Sequence, residues 1–498
     1  MCVREIRHDD EAKKDVVIAK YIMWPFNKNK KKFVQDENYK RHCVVEINYD
    51  DNEEAKEALR LMESTRENIF LTGRAGTGKS TLINEYFRKK TKKKLAIVAF
   101  TGVAALNVRG QTIHSFFGFN IGITENQITR RADNEESIYK KLDVIIIDEI
   151  SMVRADLMDC IDKFLRLNGP DKKKPFGGIQ IILVGDPYQL EPVVKDDQWM
   201  FNPPHYESPF FFDSRVFQHA NFNTIELKKI YRQNDPDFIE TLDAIRTSKT
   251  IEKHFEKINT RYQQSISDEV FYIRLVPTNS MADNYNLSRL ARLNTPTYTS
   301  QGVIVGTFYE KLPTNKELKL KKGAQVMLLN NDRDRRWVNG DIGKVTRINT
   351  DLGIVFVEIE TELQNGQKIK KEVDVMKFTW ERVKYYFDKE TRTIESKTIG
   401  SFTQYPIRLA WAITIHKGQG KTYENLIVNF GTGLFAHGQA YVALSRAKNL
   451  RGLTLLQPFE ARHIIVNARV TEFMETLSHS SSQNIFQNDY YESRNSDL

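Results

Sequence analysis

Apolar residues fall into short runs separated by amphipathic stretches from Asn68 onward. Ile69, Phe70 and Leu71 form one run, followed by a glycine-rich turn and then Leu82, Ile83, Tyr86 and Phe87 at helical spacing. Further runs rich in β-branched residues occupy Leu95–Phe100, Val144–Ile147 and Ile179–Val184. Such runs suit a parallel sheet covered on both faces, where neither side of a strand can be polar. Between the last two, Met152, Leu157, Ile161 and Leu165 recur four or five apart and predict a helix. Strands alternating with helices predict an α/β domain with crossover connections. A second such pattern spans Glu226–Arg246 and resumes over Ile407–Gln457. The segment between them carries a turn signal, Asn339-Gly340, and strand patterns at Gly353–Ile359 and within Lys368–Phe387. A small β-module inserted in the second α/β domain follows. The expected organisation is an unassigned extension over 1–52, a first lobe over 53–215, a second lobe split between 216–299 and 405–475, the β-module over 300–404, and a disordered Ser/Asn/Gln-rich tail over 476–498. No internal repeat recurs at a fixed period.

Composition narrows the class. Hydrophobic residues make up 40% and charged residues 28% of the 498, which excludes a wholly disordered chain. The longest apolar stretch, Leu95 to Leu106, is interrupted by Thr101 and Gly102 and is too short to span a bilayer. Charges at Arg4, Asp9, Asp10, Lys13 and Lys14 leave no room for a secretory apolar region. The three cysteines, Cys2, Cys43 and Cys160, form no C-x-x-C pair, so neither a disulfide framework nor a Cys-rich zinc site is expected, and a reducing cytoplasm fits. The net charge of +9 permits a polyanionic partner without requiring one. The basic runs Lys28–Lys32 and Arg88–Lys94 are read as a solvated loop and a helix C-terminus.

Gly73-Arg-Ala-Gly-Thr-Gly78-Lys79-Ser80 matches G-x-x-x-x-G-K-[ST] between an expected strand and an expected helix. Gly73, Ala75, Gly76, Thr77 and Gly78 would turn backbone N–H groups toward phosphates, and Ser80 and Thr81 open a helix with its positive end facing them. Lys79 adds a charge on the β- and γ-phosphates, and the Ser80 hydroxyl suits Mg²⁺. The run Val144–Ile147 ends in Asp148-Glu149: Asp148 suits the cation, and Glu149 suits the orientation and deprotonation of an attacking water. ATP and Mg²⁺ are the cofactors expected.

Six further segments carry more information together than singly. They are Phe100-Thr-Gly-Val-Ala-Ala105, Gln111-Thr-Ile-His-Ser-Phe116, Val184-Gly-Asp-Pro-Tyr-Gln189-Leu-Glu-Pro192, Tyr231-Arg-Gln233, Trp411-Ala-Ile-Thr-Ile-His-Lys-Gly-Gln-Gly420 and Tyr441-Val-Ala-Leu-Ser-Arg-Ala447. In that order they resemble the motifs of a superfamily-one helicase, in particular the Pif-type branch of the RecD-like 5′→3′ DNA helicases, over roughly Glu53 to Thr476.

The resemblance implies two RecA-like parallel-sheet lobes, a small wedge insertion at about 117–138, and an SH3-like β-module in the second lobe. It implies that Gln189 senses the γ-phosphate, that Arg232 and Arg446 act as arginine fingers, that Tyr231 stacks on the adenine, and that Gly420 lies at the nucleotide. Thr101, His114 and Ser115 from the first lobe, with Thr414, His416 and Lys417 from the second, would grip phosphates and sugars of single-stranded DNA. Phe116, Phe117 and Phe119 are open between base stacking and core packing, whereas Phe210-Phe211-Phe212 read as core at the lobe boundary. Two positions depart from the family pattern: Phe100 stands where proline is common, and Glu53–Arg66 holds no adenine-selecting glutamine. The expectation is an ATP-dependent helicase on single-stranded and forked duplex DNA, monomeric and without a membrane partner. An ATP-dependent nuclease subunit and a nucleotide-gated DNA-binding scaffold are the rival readings.

Overall fold

The first lobe is one parallel sheet with helices on both faces. Its strands are β1 (Asn68–Gly73), β2 (Leu95–Ala99), β3 (Gln111–Thr112), β4 (Val144–Asp148), β5 (Gln180–Val184) and β6 (Phe222–Leu227), in the order β3-β2-β4-β5-β1-β6. Because side chains alternate along a strand, each strand feeds two cores. Ile69, Leu71, Ile97, Ile146, Ile182 and Val184 meet Ala55, Ala58 and Met62 of the helix Glu53–Ser64 and Leu82 and Ile83 of the helix Lys79–Arg88. Phe70, Val98, Ile145, Ile147, Ile181 and Leu183 face the other way, onto Met158, Ile161, Phe164 and Leu165 of the helix Ala155–Asn168. The computed structural model describes residues 49, 51–88, 91–108, 110–120, 122–131, 138–194, 206–264, 271–308, 312–332, 334, 336–337, 339–362, 368–387 and 394–477. The side chains of Tyr86 and Phe87, the extension before Tyr49 and the tail beyond Leu477 lie outside that description.

Local chemistry explains the ends of the first helix. Asn52 caps it by accepting from the Ala55 N–H at 2.9 Å, and Glu53 and Glu54 complement the dipole in its first turn. At the other end Lys93 donates to the Met62 carbonyl at 2.8 Å and to Gln180 Oε1 at 2.8 Å. This member of the basic cluster therefore tethers a neighbouring helix.

The second lobe starts its sheet at β7 (Ile273–Val276). The chain then leaves for β8 (Tyr298–Gln301), β9 (Val303–Gly306), β10 (Glu317–Leu320), β11 (Gln325–Leu328), β12 (Ile342–Asn349), β13 (Ile354–Glu362), β14 (Lys368–Val375), β15 (Phe378–Phe387), β16 (Ile394–Gln404) and β17 (Ile407–Leu409). It returns as β18 (Ala412–Thr414), β19 (Leu426–Val428) and β20 (Leu453–Leu455), giving a parallel sheet ordered β18-β7-β19-β20. The inserted strands make antiparallel sheets ordered β14-β13-β12-β11-β17 and β15-β16-β9, with β10 paired to β8. The fold is thus α/β, two parallel-sheet lobes with a β-rich insertion in the second. Among the described residues no helix is long and apolar enough to cross a membrane.

Three borders differ from the sequence expectation. Phe222–Leu227 was expected in the second lobe but pairs in parallel with β1, its Ile225 and Leu227 turned inward as an edge strand requires. Ile407–Leu409 belongs to the inserted sheet through β11. The helix over 468–477 returns to the first lobe, where Val470, Phe473 and Met474 join the core and Phe473 stacks on Phe212 with 4.1 Å between ring centres. Phe210–Phe212 are core there. Met152 sits in a single 3₁₀ turn, and its helix begins only at Ala155.

Candidate functional site

The glycine-rich turn leaves the end of β1 in a conformation that side chains resist. Gly73, Gly76 and Gly78 have φ of +137°, +87° and +86°. A Cβ on Gly76 would lie 2.6 Å from Arg232 Cβ, so the second lobe closes directly over the loop. Lys79 donates to the carbonyls of Gly73 and Arg74 at 2.5 and 2.9 Å. Loss of hydration brings its ammonium down to about 8, against the opposing pull of Asp186 and Glu149. The Ala75 N–H donates to the Tyr441 hydroxyl at 2.7 Å, and the Tyr231 N–H to the Gly76 carbonyl at 2.8 Å. Ser80 is exposed and Thr81 half-buried at the start of the following helix.

Opposite the loop, β4 delivers two acids. Asp148 accepts from the Glu149 N–H at 3.0 Å, and burial pushes it up to about 7, with the Glu149 charge adding to the rise. Glu149 has φ of +53°, an outlier for a side chain of that size and a kind of backbone strain that gathers at active sites. Its carboxyl is raised as well, chiefly by burial, while Lys79 and Arg446 oppose the rise. Asp148 is buried and Glu149 half-buried just past the end of β4, and the Ser80 hydroxyl is carried by the helix that follows the phosphate loop. An oxygen-rich set with few protein donors fits Mg²⁺, which keeps waters and phosphate oxygens as its remaining ligands.

The second lobe supplies the other wall. Gln419 donates from one amide nitrogen to Glu149 Oε2 at 2.8 Å and to Gln189 Oε1 at 3.3 Å, joining three residues from two lobes. Arg232 reaches the carbonyls of Ser445 and Gly420 at 3.3 and 3.4 Å. Arg446 is fully buried and donates to the Val442 carbonyl and to Ser445 Oγ at 2.9 and 2.7 Å. Burial lowers both guanidinium groups, Arg232 to about 9 with Arg446 adding to its fall, and Glu149 opposes the fall of each. Arg232 acts electrostatically on Lys79, and Arg446 on Glu149. Tyr231 stands at the rim, its hydroxyl accepting from Asn52 Nδ2 at 3.1 Å and its ring meeting Tyr49 edge-on. All of Lys79, Glu149, Gln189, Arg232 and Arg446 thus face one seam between the lobes.

A cleft of about 2220 Å³ runs from this seam between the first lobe, the second lobe and the inserted sheets. Thr101, His114, Ser115, Thr414, His416 and Lys417 all line it. The two threonine hydroxyls are already engaged: Thr101 Oγ1 accepts from the Ala104 N–H at 3.2 Å, and Thr414 Oγ1 from the Lys417 N–H at 3.4 Å. Each caps a short helix, which fixes the orientation of its hydroxyl. Burial lowers His114, which lies edge-on to Phe100 at 6.3 Å. Phe116 and Phe117 are packed in a cluster with Tyr139 and Phe164, and Phe119 joins it while touching the cleft. Core packing accounts for all three. His437 bridges the lobes, its Nε2 2.9 Å from the Pro187 carbonyl and its Nδ1 accepting from the Asn467 N–H at 2.9 Å.

Gln419 and Tyr441 stood inside quoted motifs without a role, and their spacing alone gave none. Asn52 and Tyr49 carried no signal. Among the described residues no cluster of three or more His, Cys, Asp or Glu side chains could hold a metal by itself.

A phosphate-binding loop, a strand-borne acid pair and two arginines from a second parallel-sheet lobe define a two-lobed nucleotide-driven motor of the P-loop class. The PIF1-like helicase family model matches residues 50–258, and the model for the DNA helicase Pif1 2B domain matches 309–348. The ATP-dependent DNA helicase Pif1 of Bdellovibrio bacteriovorus is 34% identical over 84% of this chain and 90% of its own length. The ATP-dependent DNA helicase PIF1 of Emericella nidulans is 33% identical over 86% of this chain, which spans 63% of that relative. Bacteroides sp Pif1 in complex with ADP-AlF4 is 34% identical, with a TM-score of 0.73 over 86% of this chain and 97% of its own. Bacteroides Pif1 bound to single-stranded DNA is 33% identical, with a TM-score of 0.64 over 86% and 97%. The chain belongs to the PIF1-like helicase family of ATP-dependent DNA helicases.

Proposed function

We propose that this chain couples ATP hydrolysis to 5′→3′ movement along single-stranded DNA and thereby separates duplex or forked DNA. The observation that carries the reading is the seam itself: Gln419 of one lobe bonds both Glu149 and Gln189 of the other, while Arg232 and Arg446 face the same acids and lysine. Opening or closing the lobes therefore makes or breaks the catalytic set.

In hydrolysis, Lys79, Arg232 and Arg446 neutralise the oxygens of the γ-phosphate, and Gln189 reports its presence to the second lobe. Glu149 accepts a proton from a water whose oxygen attacks phosphorus; the bond from the γ-phosphorus to the bridging oxygen breaks, leaving ADP and phosphate. Ser80 and Asp148 would hold Mg²⁺, which supplies charge neutralisation between the phosphates. Tyr231 offers a stacking face to the base. Residues lining the cleft from both lobes, Thr101, His114, Ser115, Thr414, His416 and Lys417, would hold the strand, so that relative lobe movement shifts one grip against the other. We take the working form as a monomer in the cytoplasm.

Unwinding of partial duplexes carrying either a 5′ or a 3′ tail tests the reading. Strand separation from the 5′-tailed substrate alone, ATP-dependent and abolished in Lys79→Ala, is expected. Preference for the 3′ tail overturns the polarity; shortened labelled strands would favour the nuclease reading, and ATP-modulated binding without hydrolysis the scaffold.

A further inference from the structure

Two opposite charges one turn apart on a single second-lobe helix reach two separate loops of the first lobe. The helix Pro236–Thr247 is capped by Asp235 and buries Phe238, Leu242 and Ile245 in the second-lobe core, which fixes its register there. Asp243 and Arg246, at i and i+3, share its other face. Asp243 lies 2.9 Å from Arg74 Nε and accepts from Arg74 Nη2 at 3.1 Å. Arg74 belongs to the phosphate loop, and its carbonyl is one of the acceptors of Lys79. Arg246 donates to Asp186 through Nη2 at 3.0 Å and Nε at 3.3 Å, with both side chains buried. Its guanidinium also lies 4.3 Å from the ring centre of Tyr188. Asp186 opens the turn that ends at Gln189, whose N–H donates to the Asp186 carbonyl at 2.9 Å. Arg246 Nη1 is 3.9 Å from Asp243, so the charges alternate Arg74, Asp243, Arg246, Asp186 across the lobe boundary.

We infer that these four side chains form a brace in which one second-lobe helix sets the separation of the phosphate loop from the Gln189 turn, with Arg246 as a positioning residue for hydrolysis. The inference rests on the reading of this seam as an ATPase site. A guanidinium bonding both oxygens of a carboxylate fixes orientation as well as distance, and a buried pair is little screened by salt. Because Asp186 and Arg246 belong to opposite lobes, separating the lobes exposes both charges at once, which makes closure of this edge cooperative. Without Arg246, the buried Asp186 would be left with the electrostatic pull of Lys79 and would compete with phosphate for it.

The full chain, hydrolysing ATP on an oligo-dT strand with ATP titrated, tests this. Arg246→Ala should raise the KM for ATP about tenfold or more and lower kcat. Arg246→Lys should recover only part, since an ammonium does not hold both oxygens in one plane. Asp186→Asn combined with Arg246→Ala should recover only the share of the KM loss that comes from the freed carboxylate holding Lys79, while kcat stays low because the two loops remain unbraced. Asp243→Asn, at the half-exposed end, should raise KM about two- to fivefold with an unchanged thermal midpoint, and it serves if Arg246→Ala does not fold. Parental KM and kcat in both Asp243→Asn and Arg246→Lys, or full recovery of KM and kcat in the double variant, overturns the brace. Lys79→Ala is the separate check: its loss of hydrolysis leaves the ATPase reading standing whatever the brace variants do, and hydrolysis at the parent rate removes both.

Discussion

Glu149→Gln isolates the proton-accepting step. The replacement has nearly the same shape, and its amide oxygen can still accept from Gln419 Nε2, which now bonds Glu149 at 2.8 Å. The link to Gln189 and the lobe seam should therefore survive. What is lost is a proton acceptor, and general-base catalysis contributes about 10²–10⁴-fold. That corresponds to about 3–5 kcal/mol of barrier. The substitution also removes one of two adjacent carboxylates, the one that helps hold Asp148 above its ordinary range. The folded state loses a charge that burial disfavours and a repulsion that water largely screens in the unfolded chain, so the thermal midpoint should stay level or rise. Steady-state hydrolysis on oligo-dT, fluorescence anisotropy of a labelled strand and a thermal melt together give the answer. A kcat down by the stated factor, a KM for ATP within about threefold and intact strand binding are expected. Hydrolysis within tenfold of the parent would refute the assignment of Glu149 as the base, and a midpoint that falls would refute the charge argument.

Three further outcomes follow from the same geometry. The pH profile of kcat/KM for ATP should be bell-shaped: Asp148, raised to about 7, must lose its proton to hold a cation, and Lys79, lowered to about 8, must keep its own to hold phosphate. Activity therefore rises through about 7 and falls through about 8, and raising free Mg²⁺ should move only the acid limb, downward; a profile flat from pH 6 to 9 contradicts both environments. Gly76→Ala should destabilise by about 1 kcal/mol from its positive φ alone and should weaken nucleotide binding further, because the new Cβ meets Arg232; a melt and a fluorescent-nucleotide titration check it. His437→Ala leaves the buried Pro187 carbonyl and Asn467 N–H without this partner and should cost about 1–3 kcal/mol, read as a lower thermal midpoint, whereas no change would remove His437 as a bridge between the lobes.

Much of the fold was legible because its cause is local. Val144–Asp148 and Gln180–Val184 are buried along their whole length, and a continuous β-branched run is what such strands require. The phosphate loop announced itself because three positive-φ positions need glycine whatever surrounds them. Phe222–Leu227 misled for an equally physical reason: as an edge strand it alternates instead of running apolar, and nothing in that alternation says which sheet will take it. The helix over 468–477 returns to the first lobe through Phe473, and an amphipathic stretch does not name its partner.

The site divides along the same line. Lys79, Asp148 and Glu149 are tied to elements whose ends the sequence marks, so their neighbourhood follows from strand–loop–helix order. Gln419 and Tyr441 act only across the seam, on Glu149, Gln189 and the Ala75 N–H. Their chemistry exists only when two separately folded sheets meet, and no periodicity within either sheet encodes that meeting. On the proposed mechanism, a device that assembles and comes apart in each turnover has to rest on such contacts. Gln419 and Tyr441 are contacts of that kind that no motif role marked, and an amide bonded at once to Glu149 and to Gln189 is placed to sense whether the two lobes are closed.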